Sequence, residues 1–141
     1  MKRPQELHRR QRGIVMLDAL IAIVIFSIGI VGMVKLQSAA VDIASSVKYR
    51  TDAAMLADQV IAQMWTSDKT TAGALQQNFQ SPGGAAYTTW VSSVNRELPG
   101  TTATPPTITV DTNNYVTVTV YWQAPSDASA HKYVSSTQIQ P

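Results

Sequence analysis

The sequence predicts an α+β chain: one long N-terminal helix, packed along its second half by a small antiparallel sheet of about three strands. Three observations predict it. Between Ile14 and Val34 the only charged residue is Asp18. Apolar residues then keep a helical spacing as far as Trp65, with no proline on the way. From Thr107 onward Thr, Val, Ile and Tyr dominate and alternate with a period of two.

The apolar run Ile14–Val34 holds 21 residues. As a helix it spans about 31 Å, enough for a hydrocarbon core about 30 Å thick. From Gln37 to Trp65 the apolar positions are Val41, Ala44, Val47, Ala54, Leu56, Val60, Ile61, Met64 and Trp65, with Lys48–Asp52 as a polar gap. Much of this fits i, i+3, i+4, i+7 spacing, so one continuous helix is expected from about Val15 to about Thr66. Its first half suits lipid, and its second half needs one face covered.

Ser67–Gly84 is rich in Gly, Ser, Thr, Asn and Pro and reads as loop. Tyr87–Leu98 forms a short helix with Trp90, Val91, Val94 and Leu98 on one side, stopped by Pro99-Gly100. Thr101–Pro106 is a connection. Thr107–Val110 and Tyr115–Trp122 make a hairpin around Asp111–Asn114. In the second strand Val116, Val118, Val120 and Trp122 form the inward face, and Tyr115, Thr117, Thr119 and Tyr121 the outward one. Lys132–Ile139 adds a third strand.

Charge is unevenly placed. Residues 1–13 carry Lys2, Arg3, Arg9, Arg10 and Arg12 against Glu6 alone, whereas the rest has 6 Lys and Arg against 8 Asp and Glu. The basic balance therefore belongs to the first 13 residues, and the remainder, net acidic with dispersed cations, lacks a nucleic-acid footprint. Five cations ahead of an apolar span put that end in the cytoplasm and the remainder beyond the inner membrane. With no cysteine, disulfides and thiolate metal or redox sites are ruled out.

The junction reads RQRGIVMLDALIAIVIFSIGIVGMVKLQ. A basic segment ends in Gly13, the apolar run starts at once, and its fifth residue is the carboxylate Asp18. This resembles the prepilin leader of type IV pilins and type II secretion pseudopilins. Phe26–Gln37 with its two glycines, Leu98-Pro99-Gly100 and Trp122-Gln123 are similar to the PilV group of minor pilins. The likeness is dense over about 40 residues and loose beyond them.

Several expectations come with that resemblance. The fold is the type IV pilin-like one. A prepilin peptidase cuts after Gly13 and methylates the new amino terminus at Ile14. Asp18 then pairs with the free amino terminus of an adjacent subunit, which only the cut creates. An α-amino group is mostly protonated at neutral pH, so the attraction is physically sound. The family usually has Glu where this chain has Asp18, and an aromatic residue where it has Ile14. Gly29 and Gly32 permit close helix packing or local loosening. The organisation implied is a leader (1–13), a membrane and filament-core helix (14–34) and a periplasmic head (35–141). The function implied is a minor pilin that co-assembles with other minor pilins and the major pilin at a pilus tip or priming complex.

Other readings meet obstacles. A secretory signal cut after Ala40 needs an apolar region of about 7–15 residues, and this one is longer and contains Asp18. A minor pseudopilin of a type II secretion system, which shares the leader, is the main rival within the same class. A membrane-anchored periplasmic binding module, left uncut, is opposed only by Gly13 and Asp18. An enzyme is not expected. His8 lies in the leader, His131 falls in a polar loop, and no HExxH, GxSxG or phosphate loop occurs. Asp111 and Asp127 sit in turn contexts where Asp bonds its own backbone. The tyrosines and tryptophans have core or cross-strand spacing. No cofactor or metal is implied.

Overall fold

The computed structural model describes the backbone of residues 7–140 and the side chains of 14–140. The element order is α1 (Leu7–Thr66), α2 (Ala74–Phe79), α3 (Ala85–Glu97), β1 (Thr107–Val110), β2 (Tyr115–Trp122) and β3 (His131–Gln138). This is the α+β layout of a long apolar helix and a three-stranded antiparallel sheet, ordered β1-β2-β3. The chain divides into two compact units, one ending at Ile43 and the other starting at Ala44.

In the first unit α1 starts at Leu7 rather than near Val15. Leu, Arg and Gln are good helix formers, and Gly13 alone does not stop a helix. At its far end, in the second unit, α1 closes at Thr66 as the pattern predicts. Ser67 Oγ donates to the Met64 carbonyl at 2.8 Å, and Lys69 Nζ to the Trp65 carbonyl at 2.9 Å. Lys69 thus reaches a carbonyl of the open last turn, and the Ser67 hydroxyl adds to the long 3.4 Å bond its own amide makes to Met64. Asp68 Oδ1 accepts the Thr70 amide at 2.9 Å and holds the turn that follows.

The second unit has a single core. From α1 it takes Ala53, Leu56, Ala57, Val60 and Met64, with Tyr49 and Ile61 at its edge. Two corrections to the sequence reading arise here. Val41, Val47 and Trp65 are exposed at 64%, 61% and 45%, so they do not belong to the covered stripe. The stripe is filled in part by Ala53 and Ala57, which are fully buried and whose small side chains gave little signal.

Ser67–Gly84 is not all loop. Ala74–Phe79 is a helical turn and a half that buries Leu75 and Phe79, an i, i+4 pair, in the core. Gly84 is buried, and a Cβ there would strike the Asn78 carbonyl, so α3 begins close against the end of α2. In α3, Tyr87, Trp90 and Val94 are buried, and Val91 is packed at the core's edge. Trp90 Nε1 donates to the Leu56 carbonyl at 2.9 Å and ties α3 to α1. Tyr87 Oη donates to the Pro106 carbonyl at 2.7 Å, so the Thr101–Pro106 connection is packed against α3 rather than free.

The hairpin forms as read. Thr107 pairs with Thr119 and Val110 with Val116. Asp111 Oδ1 accepts the Asn113 and Tyr115 amides at 2.8 and 2.7 Å, and Asn114 takes a left-handed conformation with φ 56°. Val116, Val118, Val120 and Trp122 are all buried. Val118 pairs with Ser135 and Val120 with Tyr133 of β3, whose own inner face is only half-buried.

Candidate functional site

The residues singled out by the sequence lie at the start of α1. Gly13 falls within the helical backbone, and its surroundings, like those of the basic residues before it, lie outside the described residues. Glycine is the weakest helix former short of proline, about 1 kcal/mol below alanine, so Gly13 lowers the helix propensity there, as Gly29 and Gly32 do further along α1.

From Ile14 to Ile43 every side chain is exposed. Ile14 is 67% exposed and Phe26 71%, although both are strongly apolar. Between Ile14 and Val34 apolarity extends round every face, which is the composition of a helix buried on all sides by its environment. The helix is long and apolar enough to cross a membrane. Its backbone groups are bonded within the helix, and Ser27 Oγ donates back to the Ile23 carbonyl at 2.7 Å, so this hydroxyl also has a partner.

Between Ile14 and Val34 Asp18 is the one carboxylate. It is exposed and, among the described residues, has no salt-bridge partner. It lies four residues, and so about one turn, from Ile14 on the same helix face. Gly29 and Gly32 leave the helix unbroken, and a Cβ at either would meet nothing within 4 Å. Close packing within this chain therefore requires neither glycine.

The second unit holds no comparable cluster. Among the described residues no three His, Asp or Glu side chains gather as metal ligands. His131 is not in a free loop. It opens β3, its Nε2 lies 3.2 Å from Asp127 Oδ2, and its ring stacks on Trp122 at 5.8 Å. Asp127 Oδ2 also accepts the Ala124 amide at 3.3 Å, so the pair braces the β2–β3 connection. A groove of about 470 Å³ between Asp52, Met55, Leu56, Gln59 and Glu97 has no nucleophile beside a base. Lys48 bridges Asp52 at 2.6 Å in the open, and its pKa is raised by that hydrogen bond and by the carboxylate's charge. No protein-family model, curated protein or solved structure matches this chain.

Proposed function

We propose that this chain is a minor pilin, made as an inner-membrane precursor and cut after Gly13 by a prepilin peptidase. Ile14 becomes the methylated amino terminus. Ile14–Val34 anchors the subunit and then packs among the helices of a type IV pilus, in its tip or priming complex. The single observation that carries this reading is Asp18: an exposed carboxylate one turn into an apolar helix, directly after a basic segment ending in glycine.

The energetics favour it. A carboxylate in a membrane span costs roughly 2.5–3.5 kcal/mol at the centre, and less near an interface, so its retention calls for a compensating charge. Cleavage after Gly13 makes a free helix N-terminus one turn from Asp18, where the helix dipole already favours an anion. The amino terminus of a neighbouring subunit supplies the opposite charge. Other minor pilins and the major pilin are the partners. The remaining half of the reading, a PilV-type subunit, rests on the Phe26–Gln37 resemblance.

Replacing Asp18 with Ala tests the pairing. Cleavage should proceed, while the amount of this subunit in sheared pili falls at least tenfold. Sheared pili with normal amounts of Asp18→Ala subunit would refute the pairing.

A further inference from the structure

The two edges of the sheet are finished differently. At β1 the outward main chain is closed off by the protein itself. The Ser81 amide and hydroxyl both donate to the Ile108 carbonyl at 3.0 Å, the Ile108 amide reaches the Ser81 hydroxyl at 3.3 Å, and Gln76 Nε2 donates to the Val110 carbonyl at 2.9 Å. Along β2, Tyr115, Thr117 and Thr119 face β1, so Val116, Val118 and Val120 face β3 and meet Thr137, Ser135 and Tyr133. By the same alternation Lys132, Val134, Ser136 and Gln138 turn their amides and carbonyls away from the sheet. Among the described residues these main-chain groups have no hydrogen-bond partner outside the strand pairing.

This edge also lacks the devices that usually block strand addition. β3 is eight residues long, without proline or glycine, and Lys132 is its one full charge. Val134 is 48% exposed on it. Its inner side chains Tyr133, Ser135 and Thr137 are only half-buried beside a fully buried Val116–Val120 row, so the core thins towards this edge. Natural sheets blunt such edges with charges, bulges or covering loops.

We infer that the β3 edge is a strand-addition site, occupied by an extended segment of a different polypeptide. Main-chain donors and acceptors repeating every second residue, about 6.8 Å apart, are matched by another extended backbone. The segment adds apolar side chains on the Tyr133–Thr137 side, where they complete the cover of the core, and an acidic residue near Lys132. A second copy of this chain fits less well, since its own β3 has no acidic residue to meet Lys132 and its β1 edge is already closed off.

The test uses the full chain in its native host, with a photo-crosslinking residue at position 134 or 138 and, as control, at Thr109 on the outward face of β1. Cross-linked peptides are identified by mass spectrometry, and the subunit's N-terminus is read from the same sample. The inference expects positions 134 and 138 to label one segment of one other protein, at residues about four apart, with the control at least tenfold weaker. Ser136→Pro, which removes an outward amide, should cut that yield at least tenfold with an unchanged melting temperature; Val134→Lys should do the same if the proline variant does not fold. Labelling of lipid alone, of a second copy, of scattered residues or of nothing would overturn the inference, as would full yield in a folded Ser136→Pro variant. A terminus at Ile14 with no edge labelling would spare the filament reading, while a terminus at Met1 with ordered edge labelling would spare this one.

Discussion

Between Ile14 and Val34, α1 is apolar on every face and exposed on every face; between Ala53 and Met64, five residues of the same helix are buried and the others remain mostly polar or exposed. No break in the hydrogen-bonded helix separates the two stretches. The difference lies in the solvent each is built for. A helix in water needs one apolar stripe and something to cover it, here the sheet and α3. A helix in lipid or in a bundle of like helices needs none of its own chain as cover. The lone departure in the first stretch, Asp18, then becomes the feature that requires an explanation.

Placing the same charge in each stretch sharpens that comparison most. Val60 is fully buried, so Val60→Asp should lower the head's stability by about 3–5 kcal/mol, leaving it largely unfolded in urea titrations followed by tryptophan fluorescence. Val24→Asp should leave that unfolding curve unchanged and instead weaken membrane insertion by roughly 2.5–3.5 kcal/mol, read as extraction of the protein from membranes by alkaline carbonate. An equal response to both substitutions would break the distinction.

A smaller effect is expected from glycine to alanine. At Gly84 the added Cβ strikes the Asn78 carbonyl, and a loss of about 1–3 kcal/mol is expected from the backbone shift this forces. At Gly29 the Cβ meets nothing, so the head's stability should stay the same while the helix gains about 1 kcal/mol of propensity. Thermal unfolding of the two variants separates a glycine kept for packing inside the chain from one that is not.

The smallest effect concerns pH. Burial pushes the Tyr87 hydroxyl above its ordinary value near 10. The unfolded chain therefore loses this proton first, and the stability it confers, complete below about pH 10, declines as pH rises through the folded value. Tyr87→Phe should be less stable at neutral pH, lacking the bond to Pro106, but show a shallower decline above pH 10. An identical alkaline slope in both proteins would show that other groups control it.

How much of this was legible in the sequence depends on how each feature declares itself. The alternation in Tyr115–Trp122 marks its faces unambiguously, and Val116, Val118, Val120 and Trp122 are all inside. Asp111 and Asn114 have turn chemistry of their own, and the hairpin bounds follow. Alanine carries almost no periodic signal, so the burial of Ala53 and Ala57 went unseen while the larger Val41 and Val47 drew the stripe too far towards the N-terminus. α2 is too short for a periodicity window, though Leu75 and Phe79 at i, i+4 between Gly73 and Ser81-Pro82 were a usable clue. His131 stays exposed but opens β3 rather than lying in a loop, and its contact with Trp122 is set by the pairing of β2 with β3, which no local pattern announces. The spacing of Gly13 and Asp18 is read directly from the sequence, whereas among the described residues no salt bridge reaches Asp18, so its pairing belongs to the proposed function.

The most direct test of the filament reading is the intact mass and N-terminal sequence of the protein recovered from membranes of its native host. A terminus at Ile14 carrying one added methyl group is the predicted result. A terminus at Met1, an uncut anchor, or at Val41, a secreted soluble domain, would contradict it.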